Sequence, residues 1–210
     1  RHTRLTCDWS SDVCSSDLML APDISVELNT QTSLALRPAP NETRVELISG
    51  EASVVARRSS STPLVMLARD GRISALQADF NARCLDGVVS VTCLEGIVTV
   101  EQDGRSVQLR KAEQVTYSRA GLQASLPVDA RQVAAWQTGL LIFRDRPLAS
   151  VVDEVNRYRA GKIIITNAEL KRRLVNGTFQ VDKLDNFVAQ VEQLFGARIT
   201  SLPGGVVLMS

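Results

Sequence analysis

Residues 139–158 read GLLIFRDRPLASVVDEVNRY, and their reading decides the fold of the C-terminal third. Residues 139–143 form a short apolar run opened by Gly139, the signature of a strand. Pro147 suits the first helical position, where a missing N–H costs nothing. Leu148, Val151, Val152 and Val155 then recur at i, i+3, i+4 and i+7, one apolar stripe of a helix that Gly161 is expected to stop. Residues 162–166 (KIIIT) predict a second strand, and 173–181 a third, broken near Gly177. Asp182 can cap a second helix with a stripe of Leu184, Phe187, Val188, Val191, Leu194 and Phe195, ended by Gly196. Residues 197–201 and 206–209 close the chain as a hairpin across Pro203-Gly204-Gly205. The predicted order over residues 136–210 is β-α-β-β-α-β-β, with both helices covering one side of a small sheet.

Upstream the periodicity changes. From Ile24 to about Leu126 the chain is a series of short β-branched runs cut by turn signals, with no amphipathic helical stripe. Asp70-Gly71, Asp86-Gly87 and Asp103-Gly104 each sit between apolar runs and predict hairpin turns. Gly50-Glu51 and Glu95-Gly96 are expected to separate further strand pairs, 45–48 from 52–56 and 88–93 from 97–101. The fold class is therefore mainly β, with an α+β C-terminal domain. The expected division is 19–126 for the β-domain, 127–135 for a linker and 136–210 for the α+β domain, with 57–62 (RRSSST) a polar loop.

Composition narrows the function. The chain has 210 residues, 44% hydrophobic and only 4% aromatic, with a net charge of +1 that gives no global drive toward nucleic acid or anionic lipid. Residues 1–18 (RHTRLTCDWSSDVCSSDL) show neither helical nor strand periodicity. Their end, DVCSSDL, matches a translation of a common sequencing adaptor, so the segment is expected to be an artefact without structure, and Met19 not to be a start codon. Excluding it leaves no histidine and two cysteines, Cys84 and Cys93. Without histidine the commonest neutral-pH general base and metal ligand is missing. No phosphate loop, zinc spacing or nucleophile elbow is present. The expectation is a non-enzymatic chain with no cofactor.

Residues 134–208 closely resemble the C-terminal region of FecR-family regulators. The resemblance rests on Ala135-Trp136, Gly139, Leu141, Phe143, Arg146-Pro147-Leu148, Val151-Val152, Glu154, Asn156-Arg157-Tyr158, Gly177 and Phe179. The same element order is that of the short N-terminal (STN-like) domains of secretins and TonB-dependent transducers. Upstream, Val26-Glu27-Leu28-Asn29, Gly50-Glu51-Ala52 and residues 91–100 (VTCLEGIVTV) are similar to the FecR β-domain, although Asp23-Ile24-Ser25 stands where the family usually has Asp-Gly-Ser. The resemblance implies signalling. The chain would be the periplasmic part of a single-pass inner-membrane anti-sigma regulator, its membrane helix lying outside this sequence. It would receive a signal from the periplasmic domain of a TonB-dependent outer-membrane receptor and control an extracytoplasmic-function sigma factor for iron or siderophore uptake. Neither nucleic acid nor a small-molecule substrate is implied. The rival reading is a non-signalling envelope assembly protein carrying the same small module.

The partner-binding candidates are Asn156, Arg157, Tyr158, Gly177 and Phe179, because Tyr and Arg are favoured interface anchors. Against this, Arg157 suits a helix C-terminus and Tyr158 can pack over the helix end. Trp136, Gly139, Phe143, Pro147, Leu148 and Val151 are assigned structural roles. Acid pairs such as Asp153/Glu154 and Asp182/Asp185 read as helix-start and surface carboxylates rather than acid–base groups. A two-residue turn at Asp86-Gly87 would set Cys84 opposite Val89 and leave Cys93 roughly 13 Å along the strand, too far for a disulfide unless the register differs.

Overall fold

Two glycines, Gly50 and Gly96, shape the N-terminal half by taking positive φ (96° and 81°) inside long strands rather than at chain reversals. The computed structural model describes residues 4–7, 16–57 and 63–210. His2, most of the leader and the polar loop beyond Arg57 lie outside the described residues. The chain divides into two compact units, 1–134 and 135–210, each with its own buried core.

In the first unit the strands are β1 (Arg4–Cys7), β2 (Ser16–Ala21), β3 (Ile24–Leu28), β4 (Thr32–Arg37), β5 (Thr43–Ala56), β6 (Leu64–Ala68) and β7 (Gly71–Ala75). They continue with β8 (Ala78–Leu85), β9 (Val88–Gln102), β10 (Arg105–Arg110), β11 (Glu113–Ser118), β12 (Gly121–Leu122) and β13 (Leu126–Pro127), before a short helix α1 (Ala130–Ala134). The first half of β5 pairs with β4 and β6; past Gly50 its second half pairs with β3 and β8. β9 does the same, pairing with β8 and β11 before Gly96 and with β7 and β10 after it. Two layers thus share two bent strands and enclose one aliphatic core, including Ile24, Val26, Leu34, Leu47, Val54, Phe80, Val91 and Val100.

Gly50-Glu51 and Glu95-Gly96 are therefore bends, not the expected strand breaks. A Cβ at Gly50 would lie 2.4 Å from Thr32 Oγ1, and one at Gly96 2.3 Å from the Gln77 carbonyl oxygen. Asp86-Gly87 and Asp103-Gly104 do form turns with positive φ at both residues, the type I′ requirement. Asp70-Gly71 differs. The turn is Arg69-Asp70, with Arg69 at φ 54°. Gly71 begins β7 because a Cβ there would sit 2.4 Å from the ring of buried Tyr117, whose hydroxyl donates to the Ala68 carbonyl (3.0 Å).

Two further expectations are corrected. Arg4–Cys7 pairs antiparallel with β4, and β2, which begins at Ser16, pairs with β3, so the leader is not wholly without structure. Backbone pairing at an open sheet edge asks little of the side chains, so a segment without strand periodicity can still be captured there. Part of the expected linker, 127–135, is also occupied: Pro127 of β13 pairs with β11, Val128 N–H donates to the Ala112 carbonyl (2.8 Å), and Ala130–Ala134 form α1.

The second unit comprises β14 (Leu140–Pro147), α2 (Leu148–Arg157), β15 (Ile163–Ile165), α3 (Ala168–Arg172), β16 (Leu174–Gln180), α4 (Asp185–Phe195), β17 (Ile199–Leu202) and β18 (Val206–Met209). The predicted order holds, with α3 added. Its N-cap is Asn167, whose side chain accepts from the backbone N–H groups of Glu169 and Leu170. The single sheet does not hold: β14 and β16 make a two-stranded sheet, and β15-β18-β17 a separate three-stranded one. Leu148, Val151, Val152 and Val155 of α2 and Phe187 and Val191 of α4 bury their faces in the shared core.

Local differences have clear causes. Pro147 is the residue before α2 rather than its first, and it faces Leu174 at a position where β14 needs no N–H. Gly161 lies beyond the end of α2 and is required by close approach, a Cβ there falling 2.0 Å from the Gly205 carbonyl oxygen. β16 runs unbroken past Gly177. The irregularity lies in its partner, where Asp145 takes φ 48° between Phe143 and Arg146. Leu194 is exposed, and Asp182 sits in a 3-10 turn ahead of α4 rather than capping it.

Candidate functional site

The first unit carries a buried polar cluster centred on Glu51, which is 3% exposed. Its carboxylate accepts from Asn29 Nδ2 and Asn81 Nδ2, each at 2.9 Å, and from Arg83 Nη1 at 3.5 Å. Its backbone exchanges hydrogen bonds with the Thr32 hydroxyl (2.9 and 3.0 Å). A carboxylate this buried persists only when its oxygens are satisfied. The cluster locks the bend of β5 against β4 and β8, a structural task.

Ionisation elsewhere follows burial and neighbours. Burial pushes the Cys84 and Cys93 thiols up, which suppresses thiolate at neutral pH. Both are free and buried, and Cys84 stands opposite Val89 as the turn at Asp86-Gly87 implies. Burial, then the facing Glu95 carboxylate, raises the Asp79 carboxyl. Arg72 and Arg44 hold Glu42 below its ordinary value. Among the described residues no set of three His, Cys, Asp or Glu side chains could hold a metal ion.

In the second unit, Asn156-Arg157-Tyr158 turns inward. Arg157 and Tyr158 are 7% and 5% exposed. Arg157 Nη1 donates to Glu154 Oε1 (2.9 Å), one turn back, and its guanidinium lies 5.8 Å from the Tyr158 ring centroid. Asn156 does something the sequence did not reveal. Its Nδ2 donates to the Ile163 carbonyl (2.9 Å) and its Oδ1 accepts from Ile163 N–H (2.7 Å). Lys162 O and Thr166 N–H bond β18, so by strand alternation Ile163 directs its backbone groups away from the sheet. The amide side chain of Asn156 occupies that outward position as a neighbouring strand would.

Phe179 joins Phe143 (centroids 5.9 Å) and Phe187 (5.2 Å, edge-on) in one aromatic group. Gly177 pairs with Phe143, and a Cβ on it would press within 3.2 Å of the Phe179 ring. Trp136 is half-buried in a 3-10 turn, and Gly139 N–H donates to its carbonyl (3.0 Å). Most predicted site residues are thus brought together, but as the inner frame of the unit.

The outward face of that frame is β16. Leu174, Asn176, Thr178 and Gln180 are exposed while Val175, Gly177 and Phe179 face the core. No strand among the described residues pairs with its outer edge. An open edge beside exposed side chains suits a protein partner. Among the described residues no helix is long and apolar enough to cross a membrane.

Comparison with known proteins gives three findings. Residues 10–99 match the family model described as FecR protein. Two crystal structures of a candidate anti-sigma factor from Parabacteroides distasonis ATCC 8503 share the fold. One is 20% identical with a TM-score of 0.80, over 99% of this chain and 98% of that one. The other is 19% identical with a TM-score of 0.79, over 100% and 98%. No curated protein matches the sequence.

Proposed function

We propose, from the match of residues 10–99 to the family model described as FecR protein, that the chain is the periplasmic sensing part of a membrane-anchored FecR-type regulator of a sigma factor. In this reading the signal comes from a TonB-dependent outer-membrane receptor. The periplasmic domain of that receptor is gripped by the α+β unit, and an extracytoplasmic-function sigma factor is controlled by a segment across the inner membrane. Binding energy is the whole mechanism: a partner that prefers one state of the regulator shifts its population by the difference in affinity, with no bond made or broken. The observation that carries the reading is a β-unit matching the FecR family model over residues 10–99, followed in one chain by a compact α+β unit with an open sheet edge.

The test is a reporter driven by the cognate sigma factor, in cells carrying the intact gene or the gene lacking residues 135–210. Loss of receptor-dependent regulation on truncation, with the β-unit still present at normal abundance, is the expected result. Unchanged induction would remove the assignment of the α+β unit as the receiver.

A further inference from the structure

Three of the four sheet edges in the second unit are short or obstructed. At β15 the outward groups of Ile163 are taken by Asn156. The outer edge of β14 is interrupted by the bulge at Asp145, whose N–H bonds Asn176 Oδ1 (2.9 Å). At β17, Arg198 and Ser210 exchange backbone bonds (2.8 and 3.1 Å), so alternation leaves just Ile199 and Ser201 facing out before Pro203, which has no N–H. Such devices prevent unwanted strand addition. β16 carries none of them. Val181 N–H donates to the Gly139 carbonyl and Leu148 N–H to the Arg173 carbonyl, and alternation from these pairs turns the backbone groups of Leu174, Asn176, Thr178 and Gln180 outward together.

The chemistry beside this edge is one-sided. Arg144 and Arg146 on β14, Lys171 and Arg172 on α3, and Arg173 leading into β16 are all exposed. The acids near the start of this edge include Glu169 and Asp145, the latter engaged with Asn176 (3.0 Å), and exposed Asp182 follows its far end. Leu174 stands among the cations with 55% of its surface exposed.

We propose that the outer edge of β16 is a docking site for an extended acidic segment of a partner protein, which adds to β14-β16 as a third strand and sets its carboxylates against the cluster of Arg144, Arg146, Lys171, Arg172 and Arg173. The proposal rests on reading the α+β unit as a protein-docking module and names the edge and the partner's chemistry. Main-chain bonds supply affinity and the charges supply selection. Self-pairing of two copies would bring two basic edges together, which argues against a second copy as occupant.

The experiment titrates the full chain with a synthetic eight-residue peptide alternating Glu with Val and Thr, and with the same peptide carrying Lys for Glu, following backbone amide resonances. The expected result is that the acidic peptide shifts the amides of 174–180 and binds at least tenfold tighter than the basic one, the advantage shrinking as salt rises. Thr178→Pro, which removes an outward N–H and no ladder bond, should weaken the acidic peptide at least tenfold. The double substitution R172E/R173E changes exposed side chains only and should invert the charge preference, which keeps the test decisive if T178P fails to fold. Equal binding of both peptides, no binding, or shifts elsewhere would overturn the proposal. Concentration-dependent dimerisation through 174–180, or binding to phosphatidylglycerol vesicles without a peptide response, would likewise overturn it. If a receptor signalling domain binds the chain but ignores T178P and R172E/R173E, this inference fails and the docking function stands. If only the acidic peptide binds, at 174–180, the edge assignment stands and the receptor reading fails.

Discussion

Glu51 and Asp79 lie on adjacent strands but have different surroundings. Glu51 is surrounded by donors, so removing it takes a carboxylate acceptor from two buried amides and leaves a polar gap among the strands. Glu51→Ala should cost on the order of 3 kcal/mol, measured as a fall in the urea midpoint with unchanged slope. Asp79 faces Glu95 across the β8–β9 ladder, and burial followed by that like charge raises its carboxyl, with Arg57 partly opposing. Folding therefore penalises the ionised form; the penalty is present above the folded-state titration and is relieved as pH falls through it. D79N should stabilise the protein at neutral pH by about a few tenths of a kcal/mol, since the site is half open to water. That gain should vanish as the medium is acidified through the carboxylate range. An undiminished gain in acid would contradict this account.

At the scale of elements, what was legible in sequence was local. The stripe of Leu148, Val151, Val152 and Val155 gave α2, and Asp86-Gly87 gave both the turn and the register that parts Cys84 from Cys93. Gly50 and Gly96 read as reversals in sequence because a positive φ serves a reversal and a bend equally well, and only distant partners decide between them. The helix α3 is five residues long, too short for periodicity, with Asn167 as its one local signal. The split into two sheets was hidden because an apolar helix face does not say which strands cover it. Nothing in Asn156-Arg157-Tyr158 distinguishes an interface motif from an inward one, since Asn156 acts through Ile163, seven residues on. Asn156→Ala should cost about 2 kcal/mol for its two hydrogen bonds and should free the edge of β15 to pair between molecules. Sedimentation should show more self-association than in the parent. A variant with the parent's stability and the parent's sedimentation would contradict the role given to Asn156.

For the whole molecule, the presence of two separate cores has an energetic consequence. Val151→Ala, at a fully buried position of α2, should cost about 2 kcal/mol. Hydrogen exchange read segment by segment should speed up across 135–210 while 16–134 keeps its protection; equal loss in both halves would show a single cooperative body. This division suits the relay proposed above, in which one unit would be gripped while the other keeps its fold.

The most direct measurement is a titration of the full chain with the periplasmic signalling domain of the TonB-dependent receptor proposed as its partner, following every backbone amide. The account predicts saturable shifts concentrated within residues 135–210, with the Glu51 cluster undisturbed. An absence of shifts at high concentration, or shifts confined to residues 16–134, would contradict it.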